Sequence, residues 1–118
     1  MTTSEMATVL AWHDALNAGD IETLVSLSSD DIEIGDAHGA AQGHGALREW
    51  AQGLGRTIEP GRIYVHDGVV VVEEKVEGSG SAASAFRVVA DHVTSVFRHD
   101  DLAAALAATE LTEADLTG

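Results

Sequence analysis

The sequence predicts an α+β domain in which helices pack on one face of a curved, mostly antiparallel sheet. Three observations predict it. Apolar residues first recur at helical spacing. From Thr57 the period drops to two. The element order is helices, a strand, a helix, a run of strands and a short last helix.

Thr2 to Glu5 has capping-box spacing and opens the first helix. Met6, Val9, Leu10, His13 and Leu16 form its apolar stripe, with Trp12 at the edge. Gly19 supplies a left-handed stop. Asp20 caps a short second helix, whose apolar side is Ile21, Leu24, Val25 and Leu27, and the SSDD run at 28–31 ends it. Residues 31–36 alternate as a half-buried strand. Gly39, Gly43 and Gly45 bracket a loop or short hairpin. Leu47, Trp50, Ala51 and Leu54 mark a third helix.

RIYVHD and VVVVEEKVEG read as two strands joined at Asp67-Gly68, a strong hairpin signal. The valines at 69–72 show no alternation, so this strand is expected to be covered on both faces. A second copy of the chain is the expected outer cover, because two-fold dimers are the commonest oligomers. ASAFRVVA and HVTSVFRH form a further strand pair around Asp91. Asp100 or Asp101 caps an alanine-rich helix to about Thr109, and residues 112–116 add one more turn.

The 118 residues suit one domain, 1–118, with a real core. There is no cysteine, so disulfide, thiolate and Cys-type zinc chemistry are excluded. Net charge is −14, from 20 acids against 6 Lys plus Arg. Such a surface repels phosphate backbones and anionic membranes, so no nucleic-acid or membrane partner is expected. No apolar run approaches the roughly 18 residues of a membrane helix. The start, MTTSEMATVL, lacks a basic segment, and a cytoplasmic location is expected. Aromatic residues are few (two Trp, one Tyr, two Phe), so small side chains fill the core. A curved sheet filled that way can leave a cavity at its open end.

ALNAGDIETLVSLSSDDIEIGDAHG, followed by GHGALREW at 43–50, resembles the opening of SnoaL-like and ketosteroid-isomerase-like proteins of the NTF2-like superfamily. The resemblance is strongest over residues 6–56 and continues in the ending AFRVVADHVTSVFRHDD. It implies a cone-shaped sheet whose three N-terminal-half helices enclose a pocket, often in a homodimer formed through the sheet. It also implies cofactor-free proton transfer on a hydrophobic carbonyl compound, either isomerisation or aldol-type cyclisation.

Asp36 matches the general base of that resemblance. On its own, it is either an Asx-turn residue closing the strand or a carboxylate partly desolvated beside Ile32 and Ile34, which would strengthen it as a base. Trp12 stands where ketosteroid isomerases carry an oxyanion-hole tyrosine, and Ser84 falls near the second donor. Losing such a donor typically costs on the order of a hundredfold in rate. His13 is either a satisfied core histidine or a second acid–base group facing Asp36. The expected catalytic set is therefore Asp36, His13 and Trp12. The expected pocket walls are Trp50, Tyr64, His38, Phe86, Ser84 and Phe97, with Phe86 and Phe97 facing the helices. No metal and no cofactor is expected, although Asp36, His38 and His44 have a possible ligand spacing. Arg62, Arg87, Arg98 and Asp91 invite comparison with limonene-epoxide-hydrolase-like relatives, which hold an Asp-Arg-Asp trio around a water. The alternative to catalysis is a ligand-binding or dimerisation module.

Overall fold

The computed structural model describes residues 4–36, 39–54, 58–76 and 80–116. The expected Thr2 cap lies outside them. Helix α1 (Ser4–Ala18) buries Val9, Trp12, His13 and Leu16 along one stripe. Gly19, at φ 71°, turns the chain out of it. Asn17, near its end, clamps the start of strand β3 (Ile58–His66). Its Nδ2 donates to the Ile58 carbonyl at 2.7 Å and its Oδ1 accepts from the Ile58 N–H at 2.9 Å. Helix α2 (Ile21–Ser26) is capped by Asp20, which accepts from the Thr23 hydroxyl and then its N–H; both bonds lower the Asp20 pKa.

Strand β1 (Ser28–Asp36) begins earlier than the alternation from residue 31 predicts. The SSDD run follows the end of α2 at Ser26, as expected, and is also the first part of β1. Ser28 accounts for this entry: it is buried, accepts the Trp12 indole N–H at 3.0 Å and donates to the Leu24 carbonyl at 2.8 Å. Strand β2 (Gly39–Gln42) folds back on β1 as the short hairpin, and α3 (His44–Leu54) follows. Strands β4 (Val69–Val76), β5 (Gly80–Val89) and β6 (His92–His99) complete the sheet. Asp67 and Gly68 take φ 47° and 78°, and Ala90 and Asp91 take 50° and 63°, so both hairpin turns carry the positive-φ pair that matches strand twist.

The six strands of the described residues run β2-β1-β6-β5-β4-β3. Among the described residues, only β1 against β6 is parallel. Register shifts interrupt β1/β6, β3/β4 and β5/β6, and such bulges bend a sheet into an open curve. The concave face holds the main core against α1, α2 and α3: Ile32, Ile34, Val70, Val72, Phe86 and Val96.

The outer face departs from expectation. Helix α4 (Leu102–Thr109), capped by Asp101, lies over β4 and β5. Ala105 and Leu111 pack with Tyr64, Val71, Ala83 and Ala85. Val71 is fully buried within one chain, so its cover needs no second copy.

Candidate functional site

Along β4, Val70, Val72 and Glu74 share one side, facing the helices. A carboxylate therefore enters the core at the strand position that continues two buried valines. Glu74 is 2% exposed and His13, opposite it on α1, is 0% exposed. His13 Nε2 and Glu74 Oε2 are 2.7 Å apart. His13 Nδ1 lies 3.0 Å from the Val9 carbonyl, which can only accept, so Nδ1 carries a proton. The 2.7 Å contact then holds one further proton, shared between imidazole and carboxylate. The second oxygen, Oε1, accepts the Ser84 hydroxyl at 2.6 Å. Arg98 Nη2 stands 4.0 Å from the same oxygen. Every polar atom of this buried set has a partner, as burial in low dielectric requires.

Ser84 and Arg98 carry the network to a cleft of about 350 Å³. Its walls are the β1–β2 hairpin at Ile34, Gly35 and Ala40, helix α3 at Ala46 and Trp50, and Val96 behind. Gly35 is required for close packing: a Cβ there would meet Phe97 Cε1 at 2.6 Å and the Gly39 carbonyl at 3.0 Å. Trp50 is held by Trp12, with ring centroids 5.8 Å apart. The cleft is thus largely apolar, with Ser84 and Arg98, cross-strand partners on β5 and β6, among its lining residues.

The expected residues divide sharply. Ser84 and Trp50 line the cleft. His13 does not line it and stands two residues behind the lining, reached through Ser84 and then Glu74. Trp12 is 1% exposed and its indole N–H is used by Ser28, so it points no donor into the cleft. Phe86 faces the helices but packs edge-on to Trp12 and His13 in the core. Phe97, next to inward Val96, faces the other way; adjacent strand residues take opposite faces. It lines a separate groove of about 510 Å³ with Glu33, Arg87 and His99. Tyr64 is also on the outer face, buried under the C-terminal segment, its hydroxyl 3.4 Å from Glu113. The side chains of Asp36 and His38 lie outside the described residues. The backbone of Asp36 pairs with Gly39, two residues beyond cleft-lining Ile34. His44 turns away from the cleft, its Nε2 3.2 Å from the Ser28 carbonyl. Arg62 is exposed on β3, Arg87 is in the outer groove and Asp91 is in the β5–β6 turn, so these three are not assembled around the cleft.

Glu74 was not among the expected site residues, and Arg98 was not singled out from the other arginines. The signal for Glu74 was the one that marks Asp36, a carboxylate on the parity of buried aliphatics. The unbroken valine run hid it, because a strand covered on both faces displays no parity.

The model of the SnoaL-like domain matches residues 9–105. The chain belongs to the SnoaL-like domain family. Solved structures share the fold of this SnoaL-like chain. An NTF2-like protein of unknown function from Cytophaga hutchinsonii superposes at TM-score 0.73 with 13% identity, over 86% of this chain and 92% of that one. A Sinorhizobium meliloti protein provisionally described as a polyketide cyclase gives 0.74 with 20% identity, over 79% and 94%. A Kribbella flavida protein provisionally described as a ketosteroid isomerase gives 0.73 with 16% identity, over 80% and 76%. No curated protein matches the chain in sequence. No described helix of this SnoaL-like domain is long and apolar enough to cross a membrane.

Proposed function

We propose that the cleft binds a small hydrophobic carbonyl compound and catalyses cofactor-free proton transfer on it, as an isomerase or aldol-type cyclase. The observation that carries this reading is that Arg98 lines a largely apolar cleft together with its cross-strand partner Ser84 and with Trp50. A cation there stabilises charge that develops on a carbonyl oxygen as a proton leaves the neighbouring carbon. Asp36, closing the strand that supplies Ile34, is the base. His13 acts through Glu74 on Ser84 and Arg98 and does not touch the substrate. The likeness in fold to proteins provisionally described as a cyclase and an isomerase supports the reaction class.

The test is deuterium uptake at the α-carbon of an enolisable aryl ketone, deoxybenzoin, followed by NMR in heavy water. Wild type accelerates the exchange. Asp36→Asn, with an unchanged circular dichroism spectrum, loses on the order of a hundredfold or more of that acceleration. An Asp36→Asn protein that keeps the wild-type rate defeats the mechanism.

A second reading is a non-catalytic ligand carrier. It is favoured by the internal use of the Trp12 N–H and the His13 ring, which leaves few polar groups at the cleft. Under that reading, ligand binds and exchange is not accelerated by the wild-type protein.

A further inference from the structure

The direction of one hydrogen bond restricts what the cleft can hold. Because the Val9 carbonyl makes His13 Nδ1 a donor, a single proton occupies the His13–Glu74 contact. Whichever partner owns that proton, Glu74 Oε1 remains an acceptor, and the 2.6 Å contact makes Ser84 the donor. The single Ser84 proton is therefore used inside the protein, and its hydroxyl offers the cleft only lone pairs. Ser84 is the wrong partner for a ligand carbonyl and the right one for a ligand hydroxyl. Arg98 is the reverse: a guanidinium donates and never accepts. Ser84 and Arg98 are direct cross-strand partners, so their Cβ atoms are about 5 Å apart on one face. The cleft thus presents one acceptor and one donor as neighbours on a largely apolar lining.

We infer that the cleft selects an α-hydroxy ketone, or its enol form, on an otherwise apolar body. The ligand hydroxyl donates to Ser84 while the adjacent carbonyl oxygen accepts from Arg98. Glu74 and His13 are positioning residues here: they hold the Ser84 proton away from the cleft. This inference rests on the reading of the cleft as the ligand site.

Three aryl ketones with one body separate the possibilities: benzoin, deoxybenzoin, which lacks the hydroxyl, and benzoin methyl ether, whose oxygen cannot donate. Affinities are measured by NMR titration, using shifts of Ile34, Trp50 and Val96 to report cleft occupancy. Wild type is expected to bind benzoin about tenfold or more tighter than either analogue. Ser84→Thr, which keeps a hydroxyl, preserves that preference. Ser84→Ala, with an unchanged circular dichroism spectrum, reduces it to within about twofold. Equal wild-type affinity for all three compounds, with shifts at the cleft, overturns the inference and leaves the cleft as a ligand site. A preference that survives Ser84→Ala also overturns it. No shifts at Ile34, Trp50 or Val96 with any compound sinks the ligand-site reading as well.

Discussion

Glu74 is an acid in a place where an isolated carboxylate would not persist. Burial of an ion costs several kcal/mol unless partners return it, and here three do: the His13 ring, the Ser84 hydroxyl and, at longer range, Arg98. Such a set is stable when complete and costly when broken. Glu74→Leu or His13→Leu alone is expected to destabilise the protein by about 3–5 kcal/mol, because each leaves the other polar group stranded. The double substitution is expected to cost less than the sum, with a coupling of about 1–3 kcal/mol. Urea unfolding of the four proteins at neutral pH measures it, and additive losses would show that the two residues do not act as a pair. Buried ionic sets of this kind are often no more stabilising than an aliphatic core of the same shape. What this one provides is a fixed direction for the Ser84 proton at the edge of the cleft.

Strand β4 shows what its neighbours demand of an element. Its inward residues meet α1 and the cleft network, and its outward residues meet α4. An alanine-rich helix suits that outer face, because small side chains let its backbone lie close to the sheet. Ala105 is fully buried there. Ala105→Glu would push an unpaired carboxylate against Val71 and Tyr64, at a cost of about 2–4 kcal/mol. Detachment of α4 exposes Val71, so binding of a hydrophobic dye should rise while the thermal midpoint falls. An unchanged midpoint would show that α4 is not the cover. The same element explains why the valine run did not require a dimer: the chain brings its own last helix back over it.

Across the whole molecule, charge and fold act separately. Net charge of −14 on 118 residues produces self-repulsion that the compact state must overcome. Salt screens it, since the Debye length falls from about 30 Å at 0.01 M to about 10 Å at 0.1 M. The thermal midpoint is therefore expected to rise with sodium chloride over that range, and a flat or falling midpoint would refute the repulsion. The fold was legible because it depends on period and punctuation. Helical spacing around Val9 and Leu16, the Asp67-Gly68 turn and the cap at Asp101 are local properties that each segment carries alone. Part of the candidate cleft was legible for the same reason: Ser84 and Trp50, singled out by resemblance and by helical pattern, both line it. The rest was not. Glu74 and His13 are far apart along the chain, and nothing local to either marks the other. Phe97 and Tyr64 went to the outer face because a strand's parity becomes definite only when its partners set the register. The sequence by itself determined the elements, their order and the acidic surface. Only the tertiary structure decided which carboxylate is buried, which hydroxyl faces the cleft and in which direction its proton points. Those depend on distances between strands and helices, and such distances exist only once the chain has packed.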